Sequence, residues 1–177
     1  LCNDQKKIAE IQEKIKKEKE QKEKGKGRLR RAFANTQGIG TETNYDLEII
    51  KLSLHQLKNN KGSIVLFSTV AAQKGFTNHS IIASAKAAVE GLTISLAAEL
   101  APNIRVNCIA LSLTNSKIAQ PLLKNTMLAQ GIAKAHPLKR LGEGKDSASL
   151  AKFLISEESS WVTGQIIAVD GGRSKLS

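Results

Sequence analysis

Gly62-Ser63-Ile64-Val65-Leu66-Phe67-Ser68-Thr69 and Arg105-Val106-Asn107-Cys108-Ile109-Ala110 flank a longer apolar run from Ser80 to Ala101. The two short stretches are rich in Ile, Val and Leu and are bounded by glycine and polar residues. That pattern predicts buried strands. The run between them is too long for a strand and stops at Pro102, which cannot continue a helix. Its apolar residues Val89, Leu92, Ile94, Leu96 and Leu100 cover more than one face, as expected of a helix buried against a sheet on one side and a partner on the other. A third short run, Gln165-Ile166-Ile167-Ala168-Val169, is closed by Asp170-Gly171-Gly172. Strand, helix, strand, helix, strand predicts a parallel sheet with right-handed crossovers. The fold class is therefore α/β, a doubly wound parallel sheet with flanking helices.

Further helices are expected around this centre. One spans 46–59, with Asn44 or Asp46 as its cap and Leu47, Ile50, Leu54 and Leu57 facing one way. Residues 116–132 are helix-like, and 146–156 form a short helix with Leu150, Phe153 and Leu154 inward. The chain has 177 residues, which fits one domain but is short for a complete doubly wound nucleotide fold. Hydrophobic residues make up 41% and aromatics 3%, so aliphatic side chains must build the core.

The net charge of +11 is unevenly spread: residues 1–31 carry 12 Lys and Arg against 6 Asp and Glu, or +6 of the total. Pairs such as Glu10→Lys14 and Glu18→Lys22 stand four apart and favour a helix. Residues 1–31 thus read as a basic, Lys/Glu-rich helical extension, ahead of an α/β domain over 32–177. A solvated helix, a docking helix for a partner and a phosphate contact all remain open for it. Nucleic acid is an unlikely partner: composition alone supports a contact through residues 6–31, no aromatic platform lies nearby, and the charge is weak evidence for such a role in the main domain. The two cysteines, Cys2 and Cys108, have no zinc spacing and build no disulfide framework. Cys108 reads as a buried, inert thiol, and no metal is expected. No run looks long and apolar enough to span a membrane, and no secretory pattern is visible, so a cytoplasmic setting is expected. The first residue is Leu1 rather than methionine, which leaves a fragment or a processed product as readings.

Several phrases carry a resemblance. They are Gly62-Ser63-Ile64-Val65, Ala87-Ala88-Val89-Glu90-Gly91-Leu92, Leu96-Ala97-Ala98-Glu99-Leu100-Ala101-Pro102 and Ile104-Arg105-Val106-Asn107. Pro137-Leu138-Lys139-Arg140-Leu141-Gly142, Thr163-Gly164-Gln165 and Val169-Asp170-Gly171-Gly172 follow in order. Together, over residues 62–174, they resemble the C-terminal half of the short-chain dehydrogenase/reductase (SDR) family. The resemblance implies a partial Rossmann-like sheet, an oxidoreductase acting on a small carbonyl or alcohol substrate, NAD or NADP as cofactor, and a dimer or tetramer formed through helix 80–101 and strand 165–169.

The same resemblance implies site residues. Thr69 stands where the family has its catalytic serine, and Lys86 where it has the lysine that binds ribose hydroxyls. Ile82 occupies the place of the family's tyrosine, and isoleucine moves no proton. In the enoyl-reductase branch the tyrosine lies seven residues before the lysine, the place of His79 here. His79 reads either as an acid–base group near neutral pH or as a loop histidine capping the next helix. The Pro-Gly-x-x-x-Thr segment that meets the nicotinamide is here Leu111-Ser112-Leu113-Thr114-Asn115-Ser116, leaving Leu113, Thr114 and Ser116 as cofactor contacts. Asn35 and Gly38 are the cofactor-side candidates further forward. Phe33-Ala34-Asn35-Thr36-Gln37-Gly38-Ile39-Gly40 reads either as a worn phosphate-binding turn or as a worn Asn-Asn-Ala-Gly segment from a fourth strand. His55 is expected on the surface; His136 precedes Pro137 in the segment that covers the substrate in the family, with a substrate contact as its minor reading. Residues 115–135, with Leu122, Leu123, Met127 and Leu128, resemble the family's substrate lid and read either as an apolar pocket wall or as a simple packing helix. A chain of this length should also leave a sheet edge uncovered unless its N-terminal segment or a partner covers it.

Overall fold

The computed structural model describes residues 41–176. The basic extension over 1–31, and with it Asn35 and Gly38, lies outside the described residues.

Strand β1 (Ser63–Thr69) is central to the sequence argument, and it pairs in parallel with β2 (Arg105–Leu111) in the register Ser63↔Arg105 to Thr69↔Leu111. The expected third strand appears as Ile166–Val169 and pairs in parallel with the other side of β2, from Cys108↔Ile166 to Leu111↔Val169. The sheet order therefore places β2 in the middle, and its residues Val106 to Ala110 are all buried. Among the described residues β1 has no second neighbour, so one edge of the sheet is open.

Helix α1 (Thr41–Asn59) and the long α2 (Ser80–Leu100) lie over one face. Alternate strand residues turn toward them: Leu66 from β1, and Val106 and Cys108 from β2, meet Ile50, Val89, Leu96, Ala97, Leu100 and Ile104 in one core. Fully burying each of the large aliphatic side chains contributes roughly 1.5–3 kcal/mol. Leu54 and Leu57 of α1 pack against this core as their spacing predicted, and His55 is exposed. After β2 come a two-residue strand β3 (Thr114–Asn115), short α3 (Gln120–Leu123), α4 (Thr126–Ala135) and β4 (Gly142–Glu143), which pairs in parallel with β3. Helix α5 (Gly144–Ile155) then covers the other sheet face and leads to the last strand, β5.

Three sequence readings need correction. The 116–132 segment is two helices broken at Lys124-Asn125, because the Asn125 side chain accepts a hydrogen bond from the Leu128 N–H and starts a new helix. Helix α5 starts at Gly144, two residues earlier than expected. Glu143 and Asp146 form a reciprocal capping box there, so Asp146 sits inside the first turn. Phe153 does not point inward: it is 37% exposed, while the neighbouring Leu154 is fully buried and provides the contact. A fourth correction concerns α2, which among the described residues is long and apolar enough to cross a membrane. The physical reason is that one face, with Val89, Thr93, Leu96 and Leu100, is sheet core, while Ile81, Ile82 and Ile94 on other faces are exposed.

Loop 156–165 is pinned to the central strand by buried Asn107 and half-buried Arg105. Asn107 donates from Nδ2 to the Val162 carbonyl at 2.9 Å and accepts the Gln165 N–H at 3.1 Å. Arg105 reaches the carbonyls of Leu154 and Ser156, each at 2.9 Å, and Ser159 Oγ at 2.7 Å.

Candidate functional site

The parallel register brings Thr69, Leu111 and Val169 to the same edge of the sheet, the carboxyl end of its strands, where ligands bind in open α/β folds. Thr69 uses its hydroxyl locally. It donates to the Leu111 carbonyl at 3.1 Å and accepts the Ala71 N–H at 3.3 Å, capping the 3₁₀ turn Val70–Ala72 that carries the chain away from the sheet.

A cavity of about 130 Å³ opens beside it, walled by Thr69, Val70, Ala71, Phe76, His79, Ser112, Leu113, Leu122, Ile132 and Arg173. Leu122 and Ile132 come from α3 and α4, so this segment supplies part of the cavity wall. Met127 and Leu128 point outward and are exposed. The Phe76 ring lies 5.7 Å from the His79 ring and carries the Arg173 guanidinium 4.9 Å from its centroid. His79 Nδ1 lies 2.7 Å from the Thr77 carbonyl. A carbonyl oxygen only accepts, so Nδ1 carries the hydrogen and Nε2 of the neutral ring is the acceptor. His79 makes no side-chain cap bond to α2.

A second cavity of about 320 Å³ adjoins the first, and Ser112 and Leu113 wall both. His136, Arg140, Asp146 and Asp170 wall the larger one. Arg140 grips Asp146 with two bonds, at 2.7 and 2.9 Å, and holds that carboxyl down to about 2. Burial pushes the Asp170 carboxyl up. The hydrogen bonds it receives from Ser174 and from the Gly172 N–H outweigh that, and it sits below the usual carboxylate range.

The remaining predicted residues are placed apart. Lys86 Nζ donates to the Phe67 carbonyl at 3.0 Å and walls neither cavity. Thr114 donates to the Ser112 carbonyl at 3.1 Å, and exposed Ser116 accepts the Ala119 N–H at 3.4 Å. Ile82 is exposed on α2. Buried Ser68 and Glu90, joined Oγ to Oε1 at 2.7 Å, tie α2 to the end of β1, and exposed Gln73 adds a bond from Nε2 to Glu90 Oε2 at 3.0 Å. Burial pushes the Cys108 thiol up to about 11, which fits an unreactive core group. Ser112, Phe76, Ile132 and Arg173 are wall residues that the sequence reading did not single out as contacts. Only Ser112 carried a signal, as the replacement of a glycine in a recognised segment.

The family model described as enoyl-(acyl carrier protein) reductase matches residues 46–174, which is most of the chain and includes every described wall of both cavities. The chain belongs to the short-chain dehydrogenase/reductase family. Among curated SDR relatives, human dehydrogenase/reductase SDR family member 4 is 38% identical over 119 residues, covering 65% of this chain and 42% of the relative. Tropinone reductase homolog At5g06060 of Arabidopsis thaliana is 39% identical over 112 residues, covering 63% and 42%. A solved short-chain type dehydrogenase/reductase from Mycobacterium ulcerans superposes with a TM-score of 0.66 at 33% identity, over 71% of this chain and 46% of that one. The NADP-bound structure of ElxO gives 0.64 at 29% identity, over 70% and 51%. The chain thus spans about half the length of the SDR proteins it matches. Its sheet is the Rossmann-type parallel sheet of that family.

Proposed function

We propose that this SDR chain takes part in NAD(P)-dependent oxidation or reduction of a small carbonyl or alcohol compound. The observation that carries this is the 130 Å³ cavity, which gathers Thr69, His79 and Leu113 under lid residues Leu122 and Ile132 at the carboxyl end of the sheet. When bound, the nicotinamide would supply the hydride. Lys86 and the backbone at Leu113 are suited by donor chemistry to its ribose and carboxamide end; the forward candidates Asn35 and Gly38 would serve further along it. His79 has an acceptor nitrogen at Nε2 and no tyrosine as rival, since Ile82 takes that place; it would hold or release the proton at the substrate oxygen. The Thr69 hydroxyl donates its one hydrogen to the Leu111 carbonyl here, and would orient the substrate oxygen by turning that hydrogen toward it. The same reading includes a homo-oligomer through α2 and β5, supported by exposed Ile81, Ile82 and Ile94 on α2.

Titration with NADH and NADPH by fluorescence, followed by turnover on short ketones, tests the proposal. Binding with turnover that falls about a hundredfold or more in His79→Gln is expected. Absence of binding at millimolar cofactor would refute it. A second reading, a non-catalytic oligomerisation scaffold, is favoured by Ile82 and by the engaged Thr69 hydroxyl; cofactor binding without any turnover would support it.

A further inference from the structure

The wall between the two cavities is narrow. Ser112 and Leu113 face both, Ile132 faces the smaller, and His136 faces the larger. His136 joins these elements. Its Nδ1 lies 2.7 Å from the Ile132 carbonyl, so Nδ1 carries a hydrogen and donates it. In the neutral ring Nε2 must then accept, and the Ser112 hydroxyl, 2.8 Å away, donates to it. One imidazole thus bonds at once to the loop after β2 and to the last turn of α4. The ring is only 1% exposed and lies beside Gly171, whose φ of +60° suits a residue with no side chain. The His136 backbone is fixed as well, donating to the Ala133 carbonyl at 3.1 Å and accepting from the Lys139 N–H at 2.8 Å.

We propose that His136 is the positioning residue that sets the size of the substrate: the Ser112–His136–Ile132 strap holds the lid down and separates the two cavities. This rests on the reading of the smaller cavity as the substrate site. That space holds about four water-sized volumes, which suits a short carbonyl compound. Removing the imidazole would free the end of α4 and join the small cavity to its 320 Å³ neighbour, admitting a longer substrate.

The test uses the full chain and the variants His136→Ala, His136→Gln and Ser112→Ala. Amide hydrogen exchange follows α4 (Thr126–Ala135) against β2 (Arg105–Leu111). Ligand-observed NMR compares butanone with 4-phenylbutan-2-one, with and without NADPH. In His136→Ala, α4 should exchange about tenfold faster or more while β2 keeps its protection, because a hydrogen bond is lost on each side of the ring. The binding preference should move about tenfold toward the longer ketone. His136→Gln should restore both, because its amide N–H can reach Ile132 and its amide oxygen can accept from Ser112. A folded His136→Ala with unchanged α4 exchange, or with an unmoved ketone preference, overturns the proposal. If His136→Ala does not fold, Ser112→Ala decides: it keeps the ring, and α4 exchange equal to that of the unaltered chain overturns the strap. Should neither ketone bind the unaltered chain, the substrate reading falls, and the strap is judged by α4 exchange alone.

Discussion

Replacing Arg105 by methionine tests how the last third of the domain is attached. Arg105 opens β2, and its guanidinium makes three short bonds, to the Leu154 carbonyl, the Ser156 carbonyl and Ser159 Oγ, with a longer reach of 3.4 Å to the Val162 carbonyl. Methionine keeps the unbranched stem of the side chain and removes every donor. The cost would be large if it left buried acceptors without partners, but it does not. Leu154 O keeps Ser63 Oγ at 2.7 Å, which leaves the single Ser159 hydroxyl hydrogen for Ser156 O at 3.0 Å, and Val162 O keeps Asn107 Nδ2 at 2.9 Å. The loss is then three bonds at roughly 1 kcal/mol net each, with a smaller part from a cation near the carboxyl end of α5. About 3 kcal/mol is expected in urea-induced unfolding, read as a lowered midpoint with an unchanged slope. Arg105→Lys should lose about 1–2 kcal/mol, because one ammonium reaches only some of the acceptors. A methionine variant that loses under about 0.5 kcal/mol, or a lysine variant as unstable as methionine, would refute the reasoning.

Other expectations follow from the same geometry. Asp146 titrates at about 2 in the folded chain because Arg140 and the Glu143 N–H hold its charged form. That lowered value means its contribution is full above the ordinary carboxylate range and is lost as pH falls toward about 2, so melting temperatures of Asp146→Asn should be lower at neutral pH and flatter across that acid window. Cys108, raised to about 11 by burial, should stay unmodified by iodoacetamide at pH 8 while the chain is folded, as read by mass spectrometry. Since its folded value lies above that of an unfolded thiol, its contribution to stability should decline as pH rises past about 9. Thr69→Val should cost about 1–2 kcal/mol in thermal or urea unfolding by removing the bonds to Leu111 and Ala71, and Thr69→Ser, which keeps the hydroxyl, should cost less.

Much of the fold was legible in the sequence. Gly62 to Thr69, Ser80 to Ala101 and Arg105 to Ala110 are written in local hydrophobic pattern, and a strand–helix–strand order with one chain handedness leaves few arrangements. Two of the boundaries missed were set by side-chain capping. Asn125 restarts a helix through one hydrogen bond and Glu143 starts one early through a reciprocal pair with Asp146, and neither depends on periodicity. Phe153 was misjudged because helical spacing cannot choose between adjacent positions when only Leu154 meets the sheet.

The site divides along the same line. Thr69, His79 and Leu113 were named through the family resemblance, by their places relative to the strand ends and Lys86, and they share a cavity. Lys86 itself, the most recognisable residue of the segment, is engaged with the Phe67 carbonyl, to one side. Ile132, Arg173 and the bond between Ser112 and His136 join residues far apart in the chain, and nothing in their own neighbourhoods announces them. By itself the sequence determined what local sterics and hydrophobic burial dictate: the elements, their order and the residues at the strand ends. Only the tertiary structure decided which distant polar groups meet, because a hydrogen bond is set by a fraction of an ångström and a direction, and those are properties of the packed chain.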